Sequence, residues 1–493
     1  MSWVANAGRR VPMWTVGIVL ALVLVACAVP PETPGRGGDG PTTTTASTTT
    51  TAVSTTTTAP TTTSTAPTTT TTASTTTTTA PPSPPTDGAF SQGVSVSEAG
   101  YDSFEPRVAF DREGDALLVW VRESHEYPHP RRVQIMSRSR AGAWGSIVTL
   151  SPSGQAPHSP KVALDDGGDA VVVWQAFDGT DDRVYAQRVS RTGTLGTLQV
   201  LSGTGVKIHG TDVAVDADGD AVVTWAEWQS DGSVIPKMRR FTSDGSLPAE
   251  AVLSSSPASA EAPAVAFDRE GDAVLAWAND NVVQARTLSA SGTLGELEQV
   301  SADLSPIDRH FTAQVTIDRD GDALVTWRHW TAADQSTQVW GRWVSRDGTV
   351  GEVRQLTPSS HPDVQNYSVA GDLDGDVMLT WDRFPSGEMY ARQITRTATL
   401  EQPVLVTSYG RLHSVGVDDD GDGVVVWQGE GIDGSVGSVR ALRVTQTGAL
   451  GTAEVVASTG VSPKVAVTPV GDAMIAWERR FQVDLRIQVS VDP

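Results

Sequence analysis

Three kinds of side chain in this 493-residue sequence could carry chemistry, and each is confined to particular segments. Eight histidines (His125, His129, His158, His209, His310, His329, His361 and His413) lie in or beside stretches of variable length such as "ESHEYPHPRR" (Glu123–Arg132) and "SADLSPIDRHFTAQ" (Ser301–Gln314). Trp228, Trp330, Tyr127, Phe311, Tyr367, Phe384 and Tyr409 accompany them. Flat rings among polar neighbours suit glycan or protein contacts, because they offer area with few rotors to freeze. Neither metal nor cofactor is assigned to these side chains. Carboxylates on the same stretches (Glu123, Asp178, Glu227, Asp308, Asp363, Asp382) would serve glycoside hydrolysis only as a correctly separated pair, which sequence does not choose. Nucleophile-elbow and P-loop motifs are absent from the chain.

The third kind is acidic. "DADGD" (Asp216–Asp220) invites a calcium reading, since hard cations want clustered carboxylates. The competing reading is a hairpin turn, in which the first Asp bonds forward to the backbone and Gly takes the left-handed position. The middle carboxylate varies (Glu113, Gly167, Glu270, Val470), and Thr468 replaces the first Asp in the last copy, which favours the turn.

That turn belongs to a phrase written eight times, from "VAFDREGDALLVW" (Val108–Trp120) to "VAVTPVGDAMIAW" (Val465–Trp477). Successive tryptophans are 46 to 54 residues apart, the period of a propeller blade. Each repeat adds two further β segments, making four strands joined by Gly-containing turns. "DAVVVW" is apolar on both faces, as a strand sandwiched between blades must be. "GVSVSEAG" (Gly93–Gly100) reads as a fourth strand without its own blade, and "LRIQVSV" (Leu485–Val491) as a third strand without a fourth. Pairing them closes the ring and removes two open edges. The expected fold is an all-β, eight-bladed propeller of four-stranded blades, closed by its N- and C-terminal strands, over residues 87–493.

The phrase resembles that of bacterial exported repeat proteins carrying "VAVDxxGDAVVxW", and the resemblance spans Gly93 to Val491; it implies fold, not activity. It is not the sialidase Asp-box, S-x-D-x-G-x-x-W, because here the Trp follows the first turn position by nine residues rather than five.

Strands of a blade alternate in direction, so connections sort to two faces. The "DxxGD" and "SxxGTLG" turns share one, short and uniform; the variable segments share the other. Rigid scaffolds commonly place recognition on variable loops. The candidate ligand-binding residues are therefore Trp228, Trp330, His310, Phe311, His209, His361, Tyr367 and Tyr127. The leading expectation is a binding or scaffold module for an envelope glycan or protein, the alternatives a glycan-active hydrolase or a spacer without a dedicated ligand.

The N-terminus sets the location. Arg9 and Arg10 precede an apolar run, Val11–Ala26, and "LVAC" follows, ending at Cys27, the only cysteine. The layout is that of a secretory signal, and its last four residues resemble a lipobox whose cysteine becomes lipidated. The run is short for a membrane span. Residues 28–86 are rich in Thr, Ser, Ala and Pro, and offer too little apolar surface to offset the entropy of folding. They read as a stalk that, stretched at about 3 Å per residue, reaches on the order of 100 Å. The expected place is outside the cytoplasm, held to the bilayer through Cys27. A formal charge of -22 excludes the basic footprint that nucleic-acid binding needs.

Overall fold

A computed structural model describes residues 90–492, except 256–258, 262, 280–281, 306, 398, 431–436 and 482. The signal segment, Cys27 and nearly all of the stalk lie outside the described residues. Within them the chain is all β, arranged as eight antiparallel four-stranded sheets. Seven sheets are built from four consecutive strands each. Blade 1 is typical, with Tyr101–Phe110, Ala116–Ser124, Arg131–Arg138 and Val148–Thr149 in that order. The eighth is completed from the other end of the chain. Val94–Ser95 pairs with Asp484–Asp492, Val94 opposite Val489 and Ser95 opposite Gln488. The ring is an eight-bladed propeller shut by its own termini.

First strands of successive blades touch one another, so they form the inner wall. The second strand of each blade carries the "AVVVW" run and is buried on both sides. In blade 2, Val172 and Trp174 pack toward blade 1, while Val171 and Val173 pack toward blade 3. All eight repeated tryptophans, from Trp120 to Trp477, are fully buried. Each buries on the order of 200 Å², about 5 kcal/mol of gross hydrophobic stabilisation at the usual coefficient.

The short outer strands are held by the Ser or Thr that follows them. Ser151, Ser202, Ser301 and Thr357 each accept the amide of a residue on the third strand (Val133, Val184, Val283, Val339) at 2.8–3.0 Å. Ser97 does the same for Ile487 across the closure.

The "DxxGD" hairpins explain their own wording. The first Asp accepts, through Oδ1, the amide of the second: Asp111 from Asp115, Asp216 from Asp220 and Asp418 from Asp422, at 2.8–2.9 Å. Thr468 substitutes its hydroxyl, accepting from Asp472 at 3.0 Å. The second Asp then clamps the neighbouring hairpin of its own blade. Asp115, Asp169, Asp272 and Asp422 accept the amides of Arg140, Arg191, Ala290 and Gln446 at 2.7–2.9 Å. Gly has a role beyond its positive φ. A Cβ on Gly168 would sit 2.6 Å from Asp111 Oδ2, and one on Gly421 would sit 3.0 Å from Asp372 Oδ2. Both turns press against the carboxylate of the blade before them.

Candidate functional site

Ion pairs extend this stitching over the uniform face. Arg191 of blade 2 donates to Glu113 (2.6 Å) and Asp115 (2.9 Å) of blade 1. Arg396 reaches Asp318 and Asp320 of blade 5 at 3.2 and 2.6 Å. Arg112 reaches past blade 8 to Asp419 at 3.1 Å, and Arg269 past blade 3 to Asp166 at 2.5 Å. Among the described residues no three His, Cys, Asp or Glu side chains group as a metal would require. The turn acids are spent on backbone amides and arginines.

The opposite face is different. All eight histidines sit at this end, on the first residues of inner strands, the last of second strands or the loops between. Here blade 4 departs from its neighbours. Its inner strand is only Ala264–Phe267, against Lys207–Val215 in blade 3 and Arg309–Ile317 in blade 5. Before it, Ser259 and Ala260 bridge to Val234 and Asn279, and the Glu261 amide donates to the Ala278 carbonyl at 2.9 Å. Between blades 3 and 5 at this end lies a cleft of about 610 Å³, lined among others by His209, Trp228, Glu261, Arg309, His310 and Phe311.

Strand alternation supplies the walls. Trp225 packs toward blade 2, so Trp228 faces blade 4, and His209, opposite Ala226, faces the same way. Trp228 is 44 % exposed. From the other side, Trp327 packs toward blade 4, and His329, two residues on, shares its face; His310 lies directly opposite His329. Glu261 Oε2 accepts the amide of Thr312, whose φ is +53°, at a bulge of the blade 5 inner strand.

Beneath the cleft runs a buried chain of polar groups. Asp308 Oδ1 accepts the Ala332 amide (2.9 Å), and its Oδ2 lies 3.3 Å from His329 Nε2. His329 Nδ1 lies 3.2 Å from His310 Nδ1. The carboxylate makes His329 donate through Nε2, leaving its Nδ1 as acceptor; His310 must then donate through Nδ1. His310 Nε2 is consequently a lone pair, with no hydrogen-bond partner among the described residues. Burial is the first cause holding the His310 imidazole down to about 4, helped by His329. His310 is 3 % exposed, so it forms the floor of the cleft rather than its rim.

Four candidates from the sequence (Trp228, His209, His310, Phe311) thus meet in one cleft. The other four do not join them. Trp330 lies opposite Arg309 and shares a cation–π contact with it (5.9 Å), on the side toward blade 6. His361 stacks on Tyr390 at 4.0 Å in blade 6. Tyr127, 91 % exposed, tips the blade 1 hairpin. Tyr367 requires correction as a surface contact. It is 7 % exposed, and its hydroxyl donates to the carbonyls of Thr312 and of Thr326, the latter at 3.1 Å, riveting blade 6 to blade 5. It occupies the repeat position of Pro106, Pro160 and Pro463, all three of which are buried.

Five of the six loop carboxylates, all but Asp363, are engaged as well. Glu123 pairs with Arg131 (2.6 Å) and Glu227 with Lys237 (3.0 Å); Asp178 accepts the amides of Thr180 and Asp181. Asp382 is bound by the Asn366 amide and side chain. Glu261 and Arg309 are the cleft residues that sequence reasoning missed. The signal for Glu261 was the replacement of β-type residues by "SSSPASAEAP" before the blade 4 phrase.

No protein-family model and no curated protein matches the chain. Solved structures do. A protein of unknown function from Dyadobacter fermentans is similar over 80 % of this chain and 99 % of its own (9 % identity, TM-score 0.42). An α-L-arabinofuranosidase from Fusarium graminearum is similar over 82 % and 98 % (10 % identity, TM-score 0.41). A Hadza microbial sialidase is similar over 74 % and 73 % (11 % identity, TM-score 0.38).

Proposed function

We propose that this chain is an extracytoplasmic recognition module, tethered to the bilayer through a lipidated Cys27, that binds an envelope saccharide in the cleft over blade 4. One observation carries the reading: an exposed indole, Trp228, shares a cleft with hydrogen-bonding side chains, the carboxylate of Glu261 and the imidazole of His209. A sugar ring stacks its C–H face on an indole and directs hydroxyls, donors and acceptors alike, to such neighbours. A second reading, a protein partner, draws support from exposed apolar side chains around the same rim: Tyr127, Phe177, Ile307, Phe384 and Val483.

The test is retention of the full-length protein on insoluble cell-envelope polysaccharide. Trp228→Ala should abolish retention; a variant retained as well as the native chain overturns the assignment of the cleft. The anchor is tested separately. Cys27→Ser should move the chain from the detergent phase to the aqueous phase in cloud-point partition, and unchanged partition refutes lipidation there.

A further inference from the structure

The same position of each inner strand is occupied, blade by blade, by Arg107, Lys161, Asp212, Ala264, Gln314, Ser368, Ser414 and Lys464. Three cations therefore fall on consecutive blades 8, 1 and 2 of the inner wall, and none on the other five. In a chain of net charge -22 such a cluster is unexpected by composition.

The acids beside it are already occupied. Glu478 Oε1 accepts the Glu105 amide (2.9 Å), and Glu105 Oε2 accepts the Ser159 amide (2.5 Å), each at a residue with positive φ. Asp212 Oδ2 accepts the Val265 amide (3.3 Å), while its Oδ1 lies 3.5 Å from Lys161. The cations are less well served. Arg107 donates to its neighbour Pro106 carbonyl (2.8 Å), and among the described residues no carboxylate lies within ion-pair distance of it. The Lys464 ammonium has no hydrogen-bond or ion-pair partner among them. Burial, then Arg107 and Lys161, push Lys464 down to about 8, with Glu478 opposing.

We propose that the inner wall at blades 8, 1 and 2 is an oxyanion site, where Arg107 and Lys464, with Lys161 beside them, bind a phosphate, sulfate or carboxylate group. A guanidinium fork and an ammonium point charge are complementary donors for such a group. The oxyanion could be free in solution or carried on a larger ligand.

Thermal denaturation of the full-length protein in inorganic phosphate, sulfate or glucuronate, each against chloride at equal ionic strength, tests this. A ligand that binds only the folded state raises the midpoint. The site predicts a rise that Lys464→Met removes and Lys464→Arg keeps, while Arg269→Met on the uniform face leaves it intact. Lys464→Met should also keep the native midpoint in chloride, because the ammonium makes no hydrogen bond or ion pair whose loss would cost stability; this separates loss of binding from misfolding. A rise with phosphate or sulfate identifies a free oxyanion, and a rise with glucuronate alone identifies one carried on a ligand. No rise with any of the three, or a rise that survives Lys464→Met, overturns the proposal.

Discussion

The two faces of the propeller use similar side chains for different ends. On the uniform face, Asp318 accepts two turn amides and meets Arg396 of the next blade, so the carboxylate is consumed by the fold. On the loop face, Asp308 holds His329, which holds His310, and the chain ends in an unmatched lone pair beneath an open cleft. The first arrangement repeats around the ring because every turn must meet the next. The second occurs at the cleft beside blade 4, and nothing in the ring requires it. A repeated acidic motif in this protein is architecture; an exception to the repeat is where a ligand can enter.

The largest effects should come from what both faces share. Trp327→Ala, between blades 4 and 5, should cost about 3–5 kcal/mol in denaturant unfolding, the usual cost of truncating a buried aromatic. A loss below about 1 kcal/mol would mean that the blades are not sealed by these rings. Next comes the uniform face. Asp318→Ala strands two amides and should cost about 1–3 kcal/mol, without altering retention on envelope polysaccharide. Trp228→Ala, at an exposed position of the loop face, should change stability by no more than about 0.5 kcal/mol while retention is lost.

Acid sharpens the contrast, because the faces should respond with opposite sign. Burial raises the Asp372 carboxyl to about 6, above its ordinary 3.8. The folded state then binds more protons than the unfolded one between those values, so this turn gains stability as pH falls through that window. His310 is lowered from 6.5 to about 4, so there the unfolded state binds more protons and stability is lost as pH falls. Asp372→Asn should remove the gain and His310→Gln the loss, in unfolding midpoints measured from pH 3.5 to 7. The same slope in both variants would refute the assignment.

The repeated phrase made the blades, the closure and the turn chemistry legible. Asp-to-amide bonding and left-handed glycines are local, and a motif written eight times exposes its own exceptions, such as Thr468. The cleft was legible only in its parts. Trp228 and His310 are far apart in sequence, and what joins them is the placing of blades 3 and 5 on either side of blade 4, a consequence of pairing between segments. Tyr367 misled for the opposite reason: an aromatic beside a variable loop resembles a contact residue until its register, opposite Trp381, turns it inward.

The division of labour is tested most directly by measuring envelope retention and unfolding midpoint together for Trp228→Ala and Asp318→Ala. Retention lost with the midpoint kept in the first, and retention kept with the midpoint lowered in the second, is the expected result. Both properties falling together in either variant would contradict it.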